Sequence, residues 1–408
     1  MTVDARALMR QQRSLFSEDD VPLALNEYQQ FTARTDKNAK SGIDGFGFVL
    51  LGLFGEVGSL LSALKKKQRD KESFSTYRDE VIEEMGDALW YLANAALRAG
   101  IDLSDIAAGA RLSLADWTYR GKVGATTFVD LQQRDFPFAQ PAAGEQVEVS
   151  LFALAGRVGV LMSHWSGGQI RNNGDQLSAD LVEIFRSLLA AADEAQVSLD
   201  TAARHNVVKT FGRWPEQRTW DALFDSDFPE HEQLPRVMRV EFIERTEDSR
   251  HQVVMRYNDV NLGSPLTDNR QEADDYRYHD VFHLAFAGIL GWSPTMRALL
   301  RVKRKSDPAI DENEDGARAN IIEEGISTWI FNHGLRHGAF EHVKSLDYSL
   351  LKAVRELVTG YEVAQRPLWQ WEHAILEGFR VFRELRLHRS GIVMIDLNQR
   401  SITFEKMQ

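Results

Sequence analysis

The stretch Glu83-Glu84-Met85-Gly86-Asp87-Ala88-Leu89-Trp90-Tyr91-Leu92-Ala93, preceded by Leu51-Gly52-Leu53-Phe54-Gly55-Glu56-Val57-Gly58, sets acids into runs whose apolar residues recur at helical spacing. Glu80, Glu84 and Asp87 fall at i, i+4 and i+7, and Tyr91 and Asn94 continue the stripe, so one helix face carries carboxylates at one end and a ring and an amide at the other. Acids at this spacing are ordinarily a solvated face. Here Met85, Ala88, Leu89, Trp90 and Leu92 surround them, which places the carboxylates beside a buried surface where a bound ion offsets like-charge repulsion. Glu56, Glu84 and Asp87, with Glu83, form the candidate magnesium site, since magnesium takes hard oxygen ligands and shares itself between a few carboxylates and phosphates.

Working outward, the chain has 408 residues, enough for two to four domains. A net charge of -12 disfavours a duplex nucleic-acid surface, whereas a free nucleotide needs only a local basic patch. The absence of cysteine excludes disulfides and thiolate metal sites. The opening Met-Thr-Val-Asp-Ala-Arg lacks a signal-peptide pattern, and the apolar run Phe46 to Phe54 is short for a bilayer, so the expectation is a soluble, cytoplasmic protein without membrane partners.

The chain also repeats itself. Leu51 to Leu64 (LGLFGEVGSLLSAL) and Phe152 to Trp165 (FALAGRVGVLMSHW) share six of fourteen positions, and Asp175 to Ala203 follows Asp79 to Ala107 without a gap, pairing Glu84 with Asp180 and Asp87 with Glu183. A period near 100 residues is too long for a solenoid and suggests a duplicated helical module. Arg157 stands in the second copy where Glu56 stands in the first, so the second copy has exchanged a metal ligand for a cation.

The Leu51 run, Lys65-Lys66-Lys67 and the Glu83 run together resemble the MazG-type nucleoside triphosphate pyrophosphohydrolases, as do Leu-Asn-Glu-Tyr-Gln-Gln from Leu25 and Gly-Ile-Asp-Leu-Ser-Asp-Ile from Gly100. The resemblance covers about residues 22 to 120. It implies an all-helical module that uses Mg2+, with Mn2+ as the alternative ion, to cleave between the α and β phosphates of a nucleotide and release pyrophosphate. The family pattern has a Glu three residues after the first Glu, and here that place is Ser59. The second copy ends in Asn206, Lys209 and Arg213, which resemble the Asn, Lys and Arg that close many modules of the family, whereas the first copy has Ala110, Ser113 and Trp117 at the aligned places. A composite site follows as an expectation: carboxylates from the first copy, and Lys209, Arg213 and Arg157 reaching phosphates from the second. The alternative is that Lys209 and Arg213 merely complement a helix C-terminus. Ser59, Lys65, Tyr91, Asn94, Asn206, Lys209 and Arg213 make up the candidate nucleotide-binding set.

Past Arg218 the pattern changes. Val237 to Arg245 with Gln252 to Tyr257, and Ile392 to Leu397 with Ser401 to Glu405, read as β-hairpins of one small antiparallel sheet. Between them the spacing predicts helices over Glu272 to Leu290, Pro294 to Arg304, Ala317 to His337, Ser349 to Tyr361 and Leu368 to Leu387, with an acidic loop from Asp307 to Asp315. Asp275, His279 and His283 recur at i+4 with Asp280 beside them, and Glu323, Glu324, His333 and His337 lie on another predicted helix. His279, His283 and Glu324 are a candidate second, transition-metal site, weighed against core histidines hydrogen-bonded to acids. The cluster Arg297, Arg301, Lys303, Arg304 and Lys305 reads as a solvated, charge-paired loop. This region faintly resembles the helical C-terminal domain that follows some MazG modules.

The fold expected is therefore mainly α: tandem MazG-like four-helix modules at 22–120 and 145–220 forming an intrachain pseudo-dimer, and a C-terminal α+β domain at 235–408. The expected function is Mg-dependent nucleotide pyrophosphohydrolysis. A nucleotide-sensing regulator with a degenerate pocket, or a C-terminal domain that is itself the enzyme, are the alternatives. The expected partner is a nucleotide, and a homodimer is left open by the apolar helix faces.

Overall fold

A computed structural model describes residues 22–38, 40, 42–112, 127–132, 141–170, 173–247 and 250–407. Ser113, Trp117, the first six residues, Asp248 and Ser249 lie outside them. The chain divides into two compact units, Met1–Arg218 and Thr219–Gln408. The described residues are mostly helical, with one five-stranded antiparallel sheet in the second unit.

In the first unit, α1 (Leu25–Thr35), α2 (Phe46–Asp70), α3 (Tyr77–Ala99) and α4 (Leu103–Leu112) are followed by α5 (Phe128–Leu131), α6 (Glu145–Ser166), α7 (Gly174–Ala195) and α8 (Leu199–Arg213). Helix α2 buries Val49, Leu50, Leu53, Val57, Leu60 and Leu64, the i, i+3, i+4 stripe of an amphipathic helix. Helix α3 ends where Gly100 turns left-handed (φ 72°), and α7 ends the same way on Gln196 (φ 58°), so both acid-bearing helices stop through one device.

The two halves are built alike. Gln29 on α1 donates from Nε2 to Ile101 O (2.9 Å) and accepts Leu103 N at Oε1 (3.0 Å), satisfying the start of α4. Gln132, just past α5, does the same for α8 through Val197 O (3.1 Å) and Leu199 N (2.6 Å). The entries to α1 and α5 meet in an antiparallel bridge between Ala24 and Thr127. The halves also exchange their last helices: α8 packs on α3, and α4 packs on α7. The first crossing is close enough that a Cβ on Gly86 would lie 2.5 Å from Ala202 O. Because of this exchange the described parts of the two segments, 22–112 and 145–218, share one hydrophobic core and one compact unit.

The apolar run from Phe46 is longer than its first nine residues suggest. Among the described residues two stretches, Gly42–Ser73 and Glu145–Ser166, are long and apolar enough by length and composition to cross a membrane. Both contribute their inward faces to the shared core.

The second unit begins at Thr219, earlier than the hairpin, because buried arginines reach back to Asp221 and Asp225. Its sheet has the order β3-β2-β1-β4-β5, from β1 (Val237–Glu247), β2 (Arg250–Tyr257), β3 (Val260–Leu266), β4 (Gly391–Asp396) and β5 (Ser401–Glu405). The expected hairpins are both present and join through β1 and β4, in register from Val237–Asp396 to Phe242–Gly391. Met238, Val240, Phe242, Val393 and Ile395 alternate onto the buried face. Strand β3 was not anticipated. Gly263 and Pro265 lower its strand character, which only an edge position tolerates.

The helices are α9 (Asp280–Ala285, continuing as a π-helical turn through Leu290), α10 (Pro294–Leu300), α11 (Pro308–Asn313), α12 (Ala317–Arg336), α13 (Tyr348–Leu357) and α14 (Leu368–His388). The first helix starts at Asp280 rather than Glu272, since Asp275 adopts a left-handed conformation (φ 67°) and is held by Arg277, Arg386 and Arg389. Asp275 is thus not part of the histidine stripe. The acidic loop contains α11, capped by Asp307 and opened by Pro308. The basic cluster divides: Arg301 and Lys305 are exposed, as a solvated loop would have them, whereas Arg297 and Arg304 are buried. Arg297 donates to Asp225 (2.7 Å), and Arg304 donates to Asp315 (2.7 Å) and Glu362 (2.7 Å).

Candidate functional site

Helices α2 and α3 form a hairpin that brings Glu56 against Glu84 and Asp87, each offering an oxygen within 4.8 Å of the others. The α8 exchange adds Asn206 and Lys209. Asn206 Nδ2 donates to Asp87 Oδ1 (2.8 Å), and Lys209 Nζ donates to Glu83 Oε1 (2.8 Å) and to Asp87 Oδ2. The Tyr28 hydroxyl, 3.2 Å from Asn206 Oδ1, fixes which way that amide points. Tyr28 was not singled out from the sequence, although its place in the Leu-Asn-Glu-Tyr-Gln-Gln run marked the helix that carries it.

Glu83 is not one of the three converging carboxylates; it is buried and holds Lys209. Glu80 is drawn to Lys66 (3.4 Å), away from the cluster. Lys65 is exposed, and nine residues after Glu56 it lies near the opposite side of α2, so it does not join the carboxylates. Ser59 sits half-buried on α2 one turn beyond Glu56. Arg213 stacks on the Trp214 ring, its guanidinium carbon 4.6 Å from the centroid. Arg157 pairs with Glu183 (3.5 Å), which also binds Arg186, so in the second half a cation stands where Glu56 stands in the first. Asp180 there is taken by His164 (2.6 Å).

Tyr91 lies against α2 where Gly52 leaves room; a Cβ there would fall 2.1 Å from its ring. Its hydroxyl pKa is raised by burial and by the charges of Glu56 and Asp87. Asn94 is buried two turns beyond Asp87, its Nδ2 donating to Trp90 O (3.0 Å) and its Oδ1 without a hydrogen-bond partner among the described residues.

Burial, a hydrogen bond with Glu56 and the charges of Glu56, Asp87 and Glu83 push the Glu84 pKa up to about 8 from the ordinary 4.5. The Glu56–Glu84 pair therefore holds a proton at neutral pH when no cation is present. Since the folded state binds that proton more tightly than the unfolded chain, the pair's contribution to stability is fully present below pH 4.5 and is lost as pH rises through about 8. Three carboxylates that cannot all ionise without a counter-charge are a donor set suited to a hard divalent cation.

A second cluster lies wholly in the other unit. His279, His283 and Glu324 each offer an atom within 4.8 Å of the others. His333 and His337 pair with one another, ring centroids 4.6 Å apart, and are not part of that cluster.

Residues 219–408, the second unit, match the family described as the MazG C-terminal domain. The chain is 38% identical over 66 residues to the Gene 37 protein of Mycobacterium phage L5, a stretch that covers 16% of this chain. It spans 58% of the length of that relative. No solved structure matches.

Proposed function

We infer that the first unit is a magnesium-dependent pyrophosphohydrolase of nucleoside triphosphates, acting on free nucleotides of the cytoplasm. The observation that carries this reading is the convergence of Glu56, Glu84 and Asp87 within 4.8 Å, faced by Lys209 from the far half of the unit. Glu56, Glu84 and Asp87 would hold the ion. When bound, it would supply Lewis acidity toward the phosphates and a water of lowered pKa. Asn206 keeps Asp87 oriented, and Lys209 offers a cation for phosphate oxygens. In this reading Tyr91 offers its ring for a base to stack on, while Asn94 is fully buried and its amide serves the packing of α3. No protein nucleophile is needed.

Pyrophosphate release from a panel of ribo- and deoxynucleoside triphosphates with Mg2+ tests the reading; no release from any of them by folded protein would overturn it. Tight binding without release would instead favour a nucleotide-sensing regulator, a second reading that rests on Ser59 in place of a carboxylate and on Lys209 already paired with Asp87.

Two further results are expected. Lys209→Ala should raise the Michaelis constant by roughly ten- to a hundred-fold, the effect of one charge-assisted hydrogen bond; unchanged kinetics would remove the second half from the site. Stabilisation by Mg2+ should be slight at pH 5.5, where the Glu56–Glu84 proton must be displaced. It should grow toward pH 8.5, reaching about 5–10 °C in melting temperature at a hundred-fold excess over Kd. A pH-independent shift in a thermal melt would contradict the proton linkage.

A further inference from the structure

In the second unit, His279 at the N-terminal cap of α9, His283 within it and Glu324 on α12 surround one small volume together with Asp280. His279 Nε2 lies 3.3 Å from Asp280 Oδ1 and 3.7 Å from Glu324 Oε2, and His283 Nε2 lies 4.0 Å from Asp280 Oδ1 and 3.4 Å from Glu324 Oε1. The far side of each ring is tied down. His279 Nδ1 sits 2.9 Å from Tyr276 O, a carbonyl that can only accept, so Nδ1 donates outward and Nε2 faces the cluster. His283 Nδ1 sits 2.9 Å from Glu323 Oε1, and Glu323 is itself held by Ser293 Oγ (2.6 Å) and Thr295 N (2.8 Å). The Tyr276 ring stacks on His279 at 4.0 Å with 4° between the planes.

Two features separate this cluster from a network of core histidines paired with acids. His283 Nε2 is fully buried and, among the described residues, has no hydrogen-bond partner, Glu324 Oε1 standing off at 3.4 Å, which a closed ion-pair network would not leave. The inward spacings of 3.3–4.0 Å exceed the roughly 2.7–2.9 Å of a charged hydrogen bond. They approach the separation of about 3.4 Å between donors that each stand about 2.1 Å from one tetrahedral ion. The outer contacts, carbonyl and carboxylate on the Nδ1 side, are those that orient imidazole ligands around a metal.

We propose that His279, Asp280, His283 and Glu324 bind one divalent first-row transition-metal ion, independent of the carboxylate site of the first unit. Two imidazoles and two carboxylates, without thiolate, suit zinc, manganese, iron or cobalt rather than magnesium or calcium. Glu324 keeps 45% of its side chain exposed, so the ion would be reachable from solvent on that side.

The test uses the full chain carrying Glu84→Gln, so that the first site does not contribute, stripped with a chelator, cleared of it and titrated with Co2+, Zn2+, Mn2+ or Fe2+. Near-stoichiometric metal by elemental analysis after desalting is expected, together with cobalt d–d absorption. Affinity should fall on the order of 100-fold or more in Glu324→Gln and in His279→Ala. Glu324 lies at the surface, so its amide variant tests the site even where a substitution of buried His279 does not fold. No stoichiometric retention of any of these ions by folded protein would overturn the proposal, as would undiminished cobalt affinity in Glu324→Gln.

Discussion

Glu84→Gln is expected to lower pyrophosphate release by roughly a hundred- to a thousand-fold while raising the melting temperature of the cation-free protein above pH 8. The first effect follows from loss of a charged ligand in a site whose work is charge stabilisation. The second follows because the amide can keep a hydrogen bond with Glu56 but cannot ionise, so neither the cost of burying a charge nor the repulsion, which together hold the Glu84 pKa at about 8, acts on it. A damaged fold would lose both activity and stability, whereas a damaged ion site loses activity and gains stability. Activity within about threefold of the parent would sink the carboxylate site. A melting temperature that falls above pH 8 would show that the pair is not strained by charge.

Asp315→Ala is expected to destabilise the second unit by about 3–5 kcal/mol, the range seen when one partner of a buried ion pair is removed. Asp315 is fully buried and accepts from Arg304 N (2.8 Å), Nε (3.1 Å) and Nη2 (2.7 Å), with Arg297 Nε 3.6 Å away. Its loss leaves two guanidinium groups in the interior, with Glu362 and Asp225 as their remaining carboxylates. Denaturant unfolding followed through the buried Trp292 and Trp371 reads the change. A loss below about 1 kcal/mol, the scale of a surface pair, would mean that water reaches the cluster.

That network also marks where sequence reading fell short. Arg297, Arg304 and the acids after them form a charge pattern that, in one dimension, is the same for a solvated loop and for a buried cluster; only the three-dimensional partners Asp225 and Glu362 decide. Helix periodicity, by contrast, located α2, α3, α6 and α7 and placed Glu84 and Asp87 on one face, because apolar residues at 3.6 spacing surround them. The resemblance of Asn206, Lys209 and Arg213 to the residues that close many modules of the family pointed to Lys209, but not to Glu83 as its partner, since adjacent Glu83 and Glu84 differ by 100° around the helix and one residue's register settles which faces the cation. Strand β3 had a legible signal in Asn258-Asp259, both left-handed (φ 49° and 62°), the residue types that a two-residue hairpin turn requires. Gly263 and Pro265 obscured it. The histidine cluster was visible as spacing, while the contacts that fix the rings' tautomers, Tyr276 O and Glu323, came from outside the stripe.

The exchange of α4 and α8 has a consequence for the nascent chain. Lys209 stands 122 and 126 residues after its partners Asp87 and Glu83, so during synthesis the acids emerge long before their counter-charge exists. Closing so long a loop is entropically costly until the helices between have formed. The pocket is thus completed last, and an unfinished or truncated polypeptide ending before α8 would carry an acidic cleft with no cation of its own to quiet it.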